Sequence, residues 1–342
     1  MVMRGVDLIT AAIARINEHA RAVKQQDALH PMSRTVYLIL FVWCMAWISV
    51  FALSDFIVGQ SALYSSFGSI CLIAGCGALA RRYGHARIAL FLEACSVPAI
   101  AAALSGGTII MLASISSHFV DPQLIGIDAA LGFDWRAIFR FYLAYPGIVP
   151  LSEAVYSSFQ PQFLLLPVAL CVWRPELLWT YITAYVFSLL LAAAIFPFAA
   201  AEGPYVYYGI PQGVMPSVGD DWPWQWYQGK WISQLQNGEI RDLSRIWPGL
   251  IQFPSFHSAA AVLFIWATHG IRLLRWPGLL LNIGVILSTF ISGAHYLSDV
   301  LAGCSVAILS IWAANRMTAL RIRQTKHQLN QPPKSSPAYL GA

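Results

Sequence analysis

The stretch Ile291–Gly303, ISGAHYLSDVLAG, sets a histidine and an aspartate four residues apart between two apolar runs of near membrane-crossing length, residues 275–293 and 296–315. The surrounding chain of 342 residues is 58% hydrophobic and only 11% charged, against roughly 25% charged in a soluble domain. This composition excludes an ordinary soluble fold. Helices of about 20 apolar residues cross the hydrocarbon layer, and barrel strands would alternate instead of running apolar throughout. The expectation is therefore an all-α, polytopic membrane bundle. Hydropathy marks about eight spans, at residues 36–58, 61–80, 88–114, 151–172, 177–200, 255–270, 275–293 and 296–315.

Charge gives the bundle a direction. Of the 21 lysines and arginines, 16 fall in the termini and alternate loops and five, Arg136, Arg140, Lys230, Arg241 and Arg245, on the opposite side. Short cytoplasmic loops carry the excess of such residues, so both termini are expected in the cytoplasm and the chain in the cell's plasma (inner) membrane. The same distribution accounts for the net charge of +5 without a nucleic-acid partner. It places the outer loops 115–150 and 201–254, and His295, on the extracytoplasmic face. Residues 1–34 read as an amphipathic segment on the cytoplasmic surface, 35–114 as the first three spans, and 115–315 as the catalytic part. Residues 316–342 read as a cytoplasmic tail of disordered composition. The tryptophan-rich DDWPWQW at 220–226 reads as an interfacial anchor. The six cysteines read as buried apolar thiols.

Two polar clusters carry chemistry. Four residues apart on a helix, His295 and Asp299 share a face. The carboxylate then accepts from one ring nitrogen and leaves the other outward, as a nucleophile toward phosphorus needs. In FPSFHSAAA, residues 253–261, Pro254 and Ser255 mark a helix start. His257 falls in that first turn, beside unpaired backbone N–H groups that attract phosphate, and can protonate a departing oxygen. In LSEAVYSSFQPQ, residues 151–162, Tyr156 and Gln162 are candidates for headgroup or acceptor recognition, interhelical bonding being the other reading. Glu93 reads as interhelical or snorkelling, and SHFVDP, with His118 and Asp121, as a loop.

PSFH followed by STFISGAHYLSD resembles the second and third signature motifs of the type 2 phosphatidic acid phosphatase (PAP2) superfamily. The resemblance covers roughly residues 115–315. It implies a six-helix core with two extra spans before it, His295 as nucleophile through a phosphohistidine, Asp299 as its activating partner and His257 as the acid, with neither metal nor cofactor. This sequence departs from the phosphatase branch at Phe256, where that branch has glycine, and at Thr289, where it has a phosphate-binding arginine. The first motif, a lysine separated by six residues from Arg-Pro, is absent. PSxH and HYxxD without that arginine, with LIGIDAALGFDW at 124–135, resemble the inositolphosphotransferase branch, related to inositol phosphorylceramide synthases. The expected replacements for the arginine are Arg245, Arg241 and Lys230, with Ser255 also near the phosphate. The expected function is transfer of a lipid phosphate or phospholipid headgroup to an alcohol or polyol. The alternatives are a lipid phosphate phosphatase and a noncatalytic lipid-binding member of the fold. The expected partner is a membrane lipid.

Overall fold

The computed structural model describes residues 32–57, 62–116, 118–214, 224–243, 246 and 249–329. The helices in chain order are α1 (Ser33–Leu53), α2 (Ala62–Arg82), α3 (Ala86–Ala113), α4 (Asp121–Ala130), α5 (Trp135–Ala144), α6 (Val149–Ser157), α7 (Phe159–Trp173), α8 (Pro175–Ile195), α9 (Pro204–Tyr207), α10 (Trp224–Gln236), α11 (Phe256–His269), α12 (Arg275–Ser288) and α13 (Leu297–Leu329). Among the described residues there is no strand, only an isolated bridge between Ile57 and Asp242.

Five stretches of the described residues are long and apolar enough to cross a membrane: Ser33–Leu53, Ala86–Ala113, Pro146–Trp173, Pro175–Phe198 and Leu297–Gln324. Helices also stand at the other three expected spans, but α11 and α12 have 14 residues each. At 1.5 Å per residue each covers about 21 Å, short of a hydrocarbon layer of about 30 Å.

Helix α8 is the hub. Pro175 and Glu176 open its first turn, where a missing N–H costs nothing and a negative charge meets the positive end of the helix dipole. Every residue from Leu178 to Val186 is buried, as expected of a helix apolar on all sides. Trp179, Tyr185 and Leu189 join one core with Leu40 and Trp43 of α1, Val97 and Ala101 of α3, Leu166 of α7, Phe264 of α11 and Val306 of α13. The outward faces expose Leu38, Phe41 and Met45 on α1, Leu164 and Leu165 on α7, and Ile308 and Trp312 on α13. Such an apolar exterior suits hydrocarbon as solvent.

The two ends of the bundle differ. At one end Glu93, fully buried, pairs with Arg81 and accepts from the Tyr37 hydroxyl at 3.1 Å, the interhelical role expected of it. Arg321 of α13 reaches Thr35 Oγ1 of α1 at the same end, at 3.3 Å. At the other end short helices replace the expected loops: α4 and α5 lie within 115–150, α9 and α10 within 201–254. Ile232 and Leu235 of α10, with Leu250 of the segment before α11, pack over Ile109, Ile110 and Phe196.

Several expectations change here. The expected tail is helical as far as Leu329. Residues 1–31 and 330–342, with the surface helix expected in the former, lie outside the described residues. Trp226 is partly buried, donating to Ile210 O at 2.6 Å and packing on Tyr205. The cysteines are free; Cys71 and Cys76 are exposed and the other four only partly buried, with Cys44 and Cys171 packed against the central core and Cys304 against the cluster around Trp135.

Candidate active site

His295 lies in the turn between α12 and α13, two residues before α13 begins at Leu297. The helical stacking expected of His295 and Asp299 is therefore replaced by a loop-to-helix arrangement. The chain leaves α12 at Ser288 and folds back so that His295 N donates to Thr289 O at 3.0 Å. A Cβ on Gly293 would stand 2.7 Å from that same Thr289 oxygen, which is why glycine occupies the turn. Ala294 follows at φ 53°, a left-handed conformation costing about 1 kcal/mol for a residue with a Cβ.

The surroundings hold that conformation in place. Trp135 Nε1 donates to Phe290 O at 2.8 Å, Tyr205 Oη to Ile291 O at 3.2 Å and Gln225 Nε2 to Ser292 O at 3.1 Å. Ser152 and Ser292 share a hydroxyl bond at 2.9 Å, and the Gln252 amide donates to Ala294 O. Partners from α5, α6, α9, α10 and the segment before α11 thus satisfy the backbone of one buried loop, as buried polar groups require.

Asp299, fully buried in the first turn of α13, completes the pair. Its Oδ2 lies 3.2 Å from His295 Nδ1 and accepts from Tyr296 N at 2.9 Å. Gln252 Nε2 stands 3.4 Å from the same oxygen and 3.3 Å from Nδ1. With Nδ1 committed to the carboxylate, Nε2 is the ring atom left for chemistry. The start of α13 is capped from elsewhere in the chain: Asp128 of α4 accepts from Leu297 N at 2.9 Å and Ser298 N at 2.8 Å. Asp121, expected in a loop, instead opens α4 and is buried. It accepts from Glu202 N at 3.0 Å, Gly203 N at 2.9 Å and Tyr296 Oη at 2.8 Å. Burial and the neighbouring Asp121 carboxylate push the Glu202 carboxyl above its ordinary range.

His257 comes from the first turn of α11, as expected from PSFH. Ser255 is the N-cap, its hydroxyl accepting from Ser258 N and from Ser258 Oγ. Ser255 N donates to Asp299 O at 3.0 Å, tying this helix start to α13. A Cβ on Gly303 would stand 2.1 Å from Ser255 O, so only glycine permits the approach. The two histidine rings consequently lie 6.5 Å apart, centroid to centroid. The His257 ring stacks on Tyr156 at 4.3 Å, with Phe159 at 4.2 Å, and its Nδ1 is 3.2 Å from Tyr156 Oη. Both histidines line a cavity of about 550 Å³ that runs down between α3, α7 and α8, past Ala102, Phe163 and Leu189.

The structure brings His257, His295, Asp299, Ser255 and Tyr156 together. It places Gln162 elsewhere: its Oε1 accepts from Asn282 Nδ2 at 2.8 Å, joining α7 to α12, and it does not line the cavity. Lys230 and Arg241 are exposed and line none of it either; the Arg241 guanidinium lies over the Phe56 ring at 5.5 Å. Arg245 lies outside the described residues. Thr289 is buried and donates to Ile286 O at 2.6 Å. Among the described residues, no lysine or arginine lines the cavity. Sequence reasoning missed Gln252 and Asp128. Gln252 is a polar residue two places before Pro254, which itself precedes the Ser255 cap, a weak signal at best, and Asp128 sits inside a stretch noted only for its resemblance.

A family model described as the PAP2 superfamily matches residues 122–313, which contain all of these site residues except Asp121. No curated protein and no solved structure matches the chain.

Proposed function

The chain belongs to the PAP2 superfamily, the match covering more than half of it, and from that premise we propose that it is a membrane phosphotransferase acting on a lipid phosphate or phospholipid headgroup. The observation that carries this reading is the pair of histidine rings 6.5 Å apart at one end of a mainly apolar cavity, one of them backed by a buried carboxylate. His295 Nε2 attacks phosphorus and forms a P–N bond while the bond to the leaving oxygen breaks. His257, protonated, gives that oxygen its proton. An alcohol then attacks the phosphohistidine, its proton passing to His257 as the P–N bond breaks, which restores both rings. Asp299 fixes the His295 tautomer and balances the positive charge that develops on the ring.

The core helices begin with α3, α1 and α2 are additional, and all eight hydropathy segments traverse the bilayer, α11 and α12 with help from their flanking turns. The histidines face the extracytoplasmic side of the plasma membrane, where the weight of lysine and arginine on the other side would put them. Thr289 in place of a basic side chain favours transfer over hydrolysis, because phosphoryl oxygens held without a cation depend more on the positioning of both reactants.

The test uses purified full-length protein with labelled lipid phosphates and candidate alcohols. His295→Ala is expected to lower turnover by about 10³-fold or more, and wild type is expected to yield a base-stable, acid-labile labelled protein. Equal turnover in both proteins would overturn the mechanism. Label moving to the alcohol without free phosphate identifies the transferase, whereas free phosphate alone identifies a phosphatase. No turnover on any lipid phosphate leaves the noncatalytic reading.

A further inference from the structure

Among the described residues that line the cavity, Ser105 and Gln228 each carry a buried polar atom with no hydrogen-bond partner. On α3 one face lines it at helical spacing, through Pro98, Ala102, Ser105 and Ile109. Ser105 is 2% exposed and its hydroxyl makes no hydrogen bond. Its neighbours on the same helix behave differently: Ser96 donates to Leu92 O and Thr108 to Leu104 O, each one turn back. On α10, Gln228 is 3% exposed and lines the same cavity. Its Nε2 donates to Gly249 O at 2.7 Å, which fixes the amide, while its Oε1 has no partner. A buried polar atom left unsatisfied is costly, so such atoms point to a missing ligand or water.

We propose that Ser105 and Gln228 form a subsite for a neutral hydroxyl group of a molecule reacting at the two histidines, an inference that rests on the function proposed above. Gln228 Oε1 can only accept, and Ser105 Oγ can donate as well as accept, so a group that offers both a donor and an acceptor satisfies the two atoms fully. An ionised carboxylate, a phosphodiester anion or a phosphate dianion offers no donor. An ammonium offers no acceptor and would be buried without an anionic partner, since the described lining holds no carboxylate. A hydroxyl supplies both functions from one atom. Its source is either the acceptor alcohol or a hydroxyl of the donor headgroup.

Two variants separate these possibilities in full-length protein, with a short-chain phosphatidic acid as donor and glycerol, inositol or a short-chain diacylglycerol as alcohol. Ser105→Ala removes one oxygen with little change of shape, whereas Gln228→Met removes the amide oxygen together with the nitrogen that donates to Gly249 O, so Ser105→Ala is the cleaner probe. Each is expected to raise one KM by about five- to tenfold, the worth of one hydrogen bond, with a smaller change in kcat. Ser105→Ala is expected to leave Tm unchanged or higher, because it deletes a buried unpaired hydroxyl. A raised KM for the alcohol assigns the subsite to the acceptor, and a raised KM for the donor assigns it to the headgroup. The methyl ether of an effective alcohol should inhibit at least fivefold less well than the alcohol binds. Unchanged KM values for both substrates in Ser105→Ala, beside an active wild type, would overturn the proposal and leave these atoms to a trapped water. An inactive wild type would instead overturn the function on which it rests.

Discussion

At the scale of single residues, Gln252 is the side chain on which most converges. Its amide meets Ala294 O, His295 Nδ1 and Asp299 Oδ2 from one buried position. Gln252→Leu would leave Ala294 O unpaired in a protein interior, and it is expected to cost about 1–3 kcal/mol of stability and to lower turnover by releasing the His295 loop. Thermal unfolding and phosphate transfer measured on the same preparation check both. Asp299→Asn keeps the shape but reverses the hydrogen-bond preference at Oδ2; a 10²–10⁴-fold fall in kcat is expected, with KM for the lipid little changed. The histidine and aspartate were legible because their spacing is local. Gln252 was not, because its contacts reach 42–47 residues along the chain and no periodicity marks them.

Between elements, two close approaches hold the site together. Gly303 lets α13 lie against the first turn of α11. Gly303→Ala would force that contact apart at a cost of about 1–3 kcal/mol and move His257 away from His295; a loss of activity larger than the fall in Tm would imply is the expected result. Asp128→Ala removes the cap of α13, expected to cost about 1–2 kcal/mol while raising protease sensitivity near Leu297. Helix starts are usually readable from the residue just before them, as Ser255 was for α11. That of α13 was not, since its capping carboxylate arrives from α4, and nothing in the sequence near His295 marked the helix as starting only at Leu297, two residues past the histidine. The same limitation explains the loops 115–150 and 201–254: their short helices are stabilised by packing on the bundle end instead of by a strong local pattern.

For the whole molecule, composition alone made the membrane class legible, because apolar runs need no tertiary information. Orientation rests on charge, and it can be checked directly. In a background where the six native cysteines are replaced, an impermeant thiol reagent added to intact cells is expected to label Arg140→Cys and to spare Arg272→Cys until the membrane is opened. The reverse pattern would put the histidines on the cytoplasmic side.

The cap that Asp128 supplies to Ser298 also sets a schedule. These partners are 170 residues apart, and at a synthesis rate of about 5–20 residues per second the carboxylate is made about ten to thirty seconds before the amide it will bind. The ribosome has therefore threaded nearly all of the other helices before His295 can acquire its support. A chain that stops short of Leu297 lacks Asp299 and both amides that Asp128 caps, so the support of His295 is among the last parts of the fold to be synthesised.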